Sequence, residues 1–358
     1  MKKKKIIIII CISVLMILVA CLVWWRFSAN KGEESENQRK ELVEKGAVKR
    51  EVEKISDTLA IPIHRYDQDI FNIDLTNVAG SLKKLSAQYP SIFIDPNAWK
   101  DAEYIAQIKA FVKDPVMQEL HRDVDKMYPD LDFLQKELEQ AFSYYRYYFP
   151  EATIPQFYTA VAGVDVRSVP ILWVDDIVII GLDWYLGADS KHYDDFGLEK
   201  YRRIHCDKRY IAMDCFSQAI GYWQLPSKTP ITLLDNMIEV GKVIYFTEMM
   251  FPKATASDIM GYTTEQFAWA EQYQADVWNY LIENELLFSK EEGVVRRLVD
   301  YAPFSNPFVG SPGRIGAYIG WKIVINYMEK NPNVTLQELM LETDSRKILD
   351  KSGYKPLK

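Results

Sequence analysis

The sequence has few of the side chains on which metal and nucleophile chemistry usually depends. Its 358 residues include four cysteines and only four histidines, His64, His121, His192 and His205. No two of these histidines stand at the spacing of a zinc-binding pair. The chain also lacks a Gly-x-Ser-x-Gly nucleophile elbow and a phosphate-binding glycine loop. These absences argue against the common zinc hydrolases, serine hydrolases and P-loop enzymes.

A basic stripe is missing as well. The formal net charge is −7, so nothing in the composition favours the release of counterions from a nucleic acid. We therefore expect no nucleic-acid partner. Two cysteines of the later chain, Cys206 and Cys215, are nine positions apart, which is about 13 Å along a continuous helix. They can form a disulfide only if that helix breaks between them.

One long apolar run stands at the N-terminus. Four lysines precede an apolar stretch from Ile6 to Trp25, which is long enough to cross about 30 Å of hydrocarbon. Leu18-Val19-Ala20-Cys21 is typical of a bacterial lipobox, in which Cys21 is the lipid-attachment residue. In the alternative, Trp24, Trp25 and Arg26 form the interfacial end of an uncleaved anchor. Both interpretations predict a domain tethered to a membrane outside the cytoplasm.

Composition divides the rest of the chain into two parts. Residues 26–58 interleave acidic and basic side chains, which predicts a solvated tether between the anchor at residues 1–25 and the folded part. Residues 59–358 have the composition of one globular domain, and no Pro/Gly/Ser-rich linker interrupts them. The pattern within that domain is mostly helical, with proline stops after Tyr89, Tyr128 and Phe149.

A short β-like region interrupts the helices. Residues 157–161 and the pair 171–174 and 177–180, around an Asp175-Asp176 turn, predict a small antiparallel sheet. Asp183 follows in a glycine-bracketed aromatic turn, where we expect an Asx-type structural role or a place in a polar pocket. The whole pattern predicts an α+β fold that is predominantly α-helical.

The central helix carries a five-residue pattern that resembles part of a zinc-peptidase motif. Apolar residues recur at helical spacing from Thr232 to Met250, and Ile238-Glu239-Val240-Gly241-Lys242 lies within this stretch. A zinc-peptidase helix has histidines at the first and last of these positions and the catalytic glutamate at the second. Here Glu239 is present, but neither Ile238 nor the Lys242 ammonium offers a lone pair to a metal. We therefore expect no metal and no cofactor.

Several segments together resemble a known family. They are Tyr148-Phe149-Pro150, the turn from Gly181 to Gly187, the central pattern at residues 237–242, and Gly316-Ala317-Tyr318-Ile319-Gly320-Trp321-Lys322-Ile323-Val324. In combination they resemble the GldB gliding-motility lipoproteins of Bacteroidetes. The central helix and the Gly320-Trp321 segment are also similar to a broader family of predicted zinc peptidases. The small residues Gly316 and Gly320, one turn apart, predict a groove in which a neighbouring helix packs closely.

The resemblance implies a zincin-like core of long packed helices in a periplasmic lipoprotein of the cell membrane or outer membrane. It also implies a third, acidic ligand position on the next long helix, at Glu271 or Asp276. With the metal ligands replaced, we expect a non-catalytic descendant of a zincin that serves gliding motility, secretion or envelope assembly. Its expected partners are the membrane and other envelope proteins. The alternative is an active metal-dependent peptidase with an atypical site, for example His192, His205, Glu239 and Asp183.

Overall fold

The computed structural model describes residues 48–165 and 168–356. The predicted anchor, the lipid-attachment residue Cys21 and most of the tether lie outside these residues. The chain divides into two units, Met1–Thr58 and Leu59–Lys358. A helix over residues 48–56, α1, is the described part of the first unit. All further elements belong to the second.

The second unit is mostly helical, as predicted. Its helices are α2 Tyr66–Phe71, α3 Val78–Gln88, α4 Ala102–Lys113, α5 Pro115–Met127, α6 Asp132–Tyr148, α7 His192–Asp195, α8 Ile211–Asp214, α9 Gly221–Trp223, α10 Leu233–Met250, α11 Ala256–Met260, α12 Thr264–Glu283, α13 Glu292–Val299, α14 Ile315–Lys330, α15 Leu336–Leu341 and α16 Ser345–Ser352. A π-helical segment, Cys215–Ile220, joins α8 to α9. Short 3-10 turns cover Ala98–Lys100, Leu182–Tyr185, Lys200–His205, Lys208–Tyr210 and Leu286–Phe288.

The helix ends follow from local side chains. The predicted central helix is α10, and a capping box closes its start: Thr232 Oγ1 accepts from Asp235 N at 3.2 Å, and the Asp235 carboxylate accepts from Thr232 N at 2.9 Å. Threonines with the same box begin α12 and α15. Each box satisfies two backbone N–H groups that have no partner within the helix, so these starts were predictable from sequence.

The four strands form a mixed sheet in the order β1-β2-β4-β3. The strands are β1 Ile63–His64, β2 Gln156–Ala160, β3 Ile171–Val174 and β4 Ile177–Gly181. The β3–β4 hairpin is antiparallel, as expected, and Asp175 takes the left-handed φ of 50° that its tight turn requires. The prediction of an antiparallel sheet is wrong for the other strand pairs, because β2 pairs in parallel with both β1 and β4. A two-residue strand such as β1 has no sequence periodicity that could reveal it.

An aromatic cluster fastens the π-helical segment to the rest of the core. Phe142 and Tyr145 of α6 are buried. The Phe142 ring lies 4.9 Å from Phe216 of the π segment, and the Tyr145 ring lies 6.0 Å from Phe246 of α10. Edge and tilted contacts of this kind stabilise a core beyond area burial alone. They hold the π-helical turn against the central helix.

Helices α10 and α14 form the centre of the domain and approach each other through glycine. A Cβ on Gly320 would lie 1.8 Å from the carbonyl oxygen of Met237, and one on Gly241 would lie 2.4 Å from the carbonyl carbon of Gly320. Gly316 is similarly close to the backbone of Leu298 in α13, at 2.8 Å. The predicted glycine groove is therefore confirmed, and α10 completes it with a glycine of its own.

Gly320→Ala is expected to lower the free energy of unfolding by about 3 kcal/mol or more. A methyl group there meets backbone, so the helices must separate, and this exceeds the gain of about 1 kcal/mol that alanine brings to a helix. The matched control is Gly293→Ala in α13, where a Cβ meets nothing within 4 Å. Denaturant unfolding of the control should show equal or slightly higher stability; equal losses in both variants would contradict the glycine contact.

Candidate binding cavity

The central pattern at residues 238–242 faces a small pocket. Ile238, Glu239 and Lys242 line a cavity of only about 40 Å³, together with Lys228, Asp235 and Glu342. Ile238 is buried, and Glu239 is half-buried. Burial raises the pKa of Glu239, and the nearby Lys242 opposes that rise. The three predicted motif positions are thus together, but the space beside them holds only a few water molecules.

Lys242 caps another helix. Its Nζ is buried and donates to the carbonyl oxygens of Met340, at 3.0 Å, and Glu342, at 2.8 Å. These carbonyls stand at the C-terminal end of α15, where the last turn leaves carbonyl groups without partners. Burial lowers the pKa of Lys242 to about 8, so the amine is mainly charged at neutral pH. Lys242 therefore links α10 to α15.

The other predicted site residues are dispersed. Asp183 is buried and accepts from the backbone N–H groups of Ala162, at 3.1 Å, and Gly163, at 2.8 Å, so it fixes the loop after β2. Burial raises the pKa of Asp183 to about 6. Glu271 lies 3.4 Å from Tyr318 Oη and 3.5 Å from Lys322 Nζ on α14, and it lines neither the motif pocket nor the larger cavity. Asp276 is exposed on the same helix as Glu271.

The histidines do not converge either. His192 Nε2 lies 2.8 Å from Asp123 Oδ2, whereas His205 lines the larger cavity. Within residues 48–165 and 168–356, one cluster has the spacing of a cation site, namely Asp67, His121 and Asp125. Arg65 already supplies its positive charge, with Nη2 2.8 Å from Asp67 and 3.5 Å from Asp125. This cluster is an internal ion-pair network and contains none of the predicted ligands.

Another face of α10 borders the larger cavity, of about 300 Å³. Val240, Val243, Ile244 and Thr247 form this wall, and the π-helical segment supplies Ser217 and Gln218. A π turn widens the helix and rotates the side chains that follow it, and such turns are frequent at functional sites. The volume is at the lower end of the range for small-molecule pockets.

Asp214 is the buried acid of this cavity. Its Oδ2 accepts from Tyr185 Oη at 2.8 Å, and Ser217 and Gln218 also hydrogen-bond to it. Burial raises the pKa of Asp214 to about 7, while these hydrogen bonds and Arg314 oppose the rise. The carboxyl group is therefore close to half-protonated at neutral pH.

Arg314 and His205 form a second polar corner. Arg314 precedes α14 with a left-handed φ of 59°, which is uncommon for a residue with a side chain. Its guanidinium lies 4.1 Å from the centre of the Tyr301 ring. The His205 ring packs against Gly261, where a Cβ would lie 2.0 Å from it. Burial and the charge of Arg314 lower the pKa of His205 to about 4, so this histidine is neutral.

Comparison with known proteins identifies the family. A family model described as "Gliding motility protein GldB" matches residues 45–356. The chain belongs to the GldB family. No curated protein and no solved structure matches it. The similarity to zinc peptidases thus stays a prediction.

The described GldB domain contains no helix, within residues 48–165 and 168–356, that combines the length and hydropathy needed to span a bilayer. Cys206 and Cys215, the two cysteines of this part of the chain, are both free and buried. The helical stretch between them does break, at Cys206 and Asp207, yet they do not pair.

Most polar residues that line this cavity of the GldB domain could not be identified from the sequence. His205 was noted as a metal candidate, but Asp214, Tyr210 and Arg314 were not selected. The one available signal was the break before α14 at Ser311-Pro312-Gly313-Arg314, which places a charged residue at a helix start. Nothing in the local sequence marks residues 215–220 as π-helical, because that geometry depends on the packing of Phe216.

Lys242→Met is expected to lower the free energy of unfolding by about 2–4 kcal/mol. The variant keeps the length of the side chain but leaves two buried carbonyls of the α15 end without a donor. The same substitution at the exposed Lys290 should change stability by less than about 0.5 kcal/mol. Denaturant unfolding measures both, and equal stability of Lys242→Met and the wild type would show that the cap contributes nothing.

Asp214→Asn is expected to change how stability depends on pH. Between its usual pKa of 3.8 and about 7, folded Asp214 holds a proton that the unfolded chain has lost. The contribution of this group to stability therefore falls as the pH rises from about 4 to about 7. His205 acts in the opposite sense over an overlapping range and is unchanged in the variant.

The unfolding free energy of Asp214→Asn, minus that of the wild type, should rise by about 1–4 kcal/mol across this range and level off above pH 7. Urea unfolding at half-unit pH steps measures the difference. Parallel curves for the two proteins would mean that Asp214 ionises normally in the folded state.

Proposed function

We propose that this GldB-family protein is a non-catalytic binding component of the cell envelope, held at the membrane by its N-terminus. In this role it serves the gliding-motility or secretion machinery, or envelope assembly, through what its domain binds. The single observation that carries the proposal is the commitment of Lys242 to the α15 end. A side chain with two hydrogen bonds to backbone carbonyls cannot also ligate a metal.

The chemistry of the motif face supports the absence of hydrolysis. Catalytic zinc normally takes three protein ligands and keeps one open position for water. Glu239 is the one carboxylate among the three motif positions, and Glu271 pairs with α14 instead. The pocket beside Glu239, of about 40 Å³, also has no room for a peptide substrate.

The other face of α10 supports a binding role. Its cavity has a largely apolar wall and a few convergent polar groups, which is the usual composition of a ligand site. The cavity and the motif lie on different faces of α10, so binding in the cavity would need no metal at the motif.

The proposed tether rests on the first 58 residues. Either lipidation of Cys21 or retention of the apolar run 6–25 would place the domain outside the cytoplasm, and residues 26–58 would hold it off the membrane. Mass spectrometry of the mature protein distinguishes the two forms, because lipidation begins the chain at Cys21. Affinity purification with the anchor intact would then identify the envelope proteins that bind.

The protein is expected to hold no stoichiometric zinc and to leave peptides intact. Metal analysis of protein purified without chelators tests the first point, and an assay with a mixed peptide library, with and without added zinc, tests the second. Glu239→Gln serves as the matched variant, since it keeps the shape of the side chain and removes the only carboxylate of the motif. One zinc per chain, or hydrolysis that Glu239→Gln abolishes, would establish the alternative of an atypical metal-dependent peptidase.

A further inference from the structure

The polar groups of the larger cavity differ in how many hydrogen-bond partners they have. Asp214 has three hydrogen-bonding neighbours, Tyr185, Ser217 and Gln218. The hydroxyl of Tyr210 is buried and has no hydrogen-bond partner among the described residues. A buried hydroxyl without a partner costs about 1–3 kcal/mol, so its retention in a cavity wall calls for an explanation.

Arg314 is a half-buried cation in the wall of this cavity. Its guanidinium rests on the Tyr301 ring, and it makes no ion pair with a carboxylate of residues 48–165 or 168–356. The other arginines near the cavity differ in this respect: Arg209 lies 3.5 Å from Asp258, and Arg202 has partners of its own. Arg314 thus has no carboxylate within ion-pair distance among residues 48–165 and 168–356, although its charge still reaches Asp214 and opposes the rise in the pKa of that acid.

Both residues line the same cavity, with His205 between them. The His205 ring lies 5.1 Å from the Tyr210 ring and 5.5 Å from the Tyr301 ring that Arg314 covers. His205 is neutral and so does not compete as a cation. The rest of the wall is apolar and includes Trp184, Met213, Val243, Ile244 and Ile259. A hydroxyl and a guanidinium therefore adjoin an apolar space.

We propose that this cavity binds a small organic acid, with its carboxylate on Arg314 and Tyr210 and its apolar body against α10. The proposal rests on the binding role proposed above and names the class of ligand. A carboxylate matches one guanidinium and one hydroxyl, because its two oxygens accept from both donors.

Other ligand classes fit less well. A cationic ligand would be repelled by the charge of Arg314, and a neutral ligand would give the guanidinium no ion pair. A phosphate dianion would bring twice the charge of a carboxylate near Asp214, which is partly ionised at neutral pH, and would find too few donors for its oxygens. The apolar wall would in addition leave a small inorganic anion poorly packed.

Calorimetric titration of the full chain in lipid nanodiscs tests the proposal, with empty nanodiscs as the blank. The probes are 3-phenylpropanoate and its neutral counterpart 3-phenylpropan-1-ol. Saturable binding of the acid is expected, with the alcohol at least about tenfold weaker, since the ion pair is lost. Equal affinity for the two, or no saturable binding of the acid, would overturn the proposal.

Two variants assign the contacts. Arg314→Asn removes the charge with a residue that tolerates the left-handed backbone, and it should weaken acid binding by about tenfold or more. Arg296→Gln, on the exposed face of α13, is the matched control and should leave affinity unchanged. Tyr210→Phe should weaken acid binding about two- to tenfold while the free protein stays as stable or becomes more stable. Unchanged affinity in both cavity variants would refute the assignment.

The carboxylate could come from a free acid or from a chain end. A tripeptide that ends in phenylalanine, compared with its C-terminal amide, distinguishes the sources: tighter binding than 3-phenylpropanoate favours a peptide end, and weaker binding favours a free acid. Both results require the amide to bind less well, and an equally bound amide would count against the proposal. Failure of acid binding would leave the proposed non-catalytic role standing. The zinc content and the Glu239→Gln variant test the motif pocket, which is separate from this cavity.

Discussion

The contact between the backbones of α10 and α14 determines much of the domain. Gly241 and Gly320 let the two helices approach until backbone meets backbone, so neither helix can slide or rotate without a collision. Because one side of α10 is fixed in this way, its other sides have set directions. One carries Glu239 and Lys242 towards α15, and another carries Val240, Val243 and Ile244 towards the large cavity. The close approach thus positions both candidate sites.

The hydrogen bonds of Lys242 give this side chain a structural role. A buried ammonium is costly unless hydrogen-bonded, and here the donors meet carbonyls that the end of α15 would otherwise leave unsatisfied. The ammonium and the carbonyl groups satisfy each other's hydrogen bonds. Replacing the lysine would therefore leave the carbonyls at the end of α15 without a donor and would remove the link from α10. The side chain thus has a role in stability that is independent of any metal, whatever the ancestry of the motif.

The parts of the fold that were predictable are those set by local chemistry. Thr232 and Asp235 mark the start of α10 because their own atoms bond to its first turn. The glycines of α14 and the β3–β4 hairpin likewise have signals within a few residues. The parallel pairing of β2 with β4 depends instead on segments far apart in the chain. The cavity depends on the π turn at Cys215–Ile220, which only the packed aromatic cluster reveals. Glu271 was placed by helix spacing alone, and spacing cannot say which neighbour the helix faces.

The two faces of α10 differ in the energetically unfavourable features around them. Around the motif pocket the buried amine has its acceptors and little space remains. Around the cavity, Arg314 holds a left-handed backbone that costs about 1–3 kcal/mol, the Tyr210 hydroxyl lacks a partner, and Asp214 is buried close to its titration point. A sequence selected for stability alone would place glycine at 314 and phenylalanine at 210. These costs meet in one cavity, and a bound molecule that accepts from both groups would offset them together.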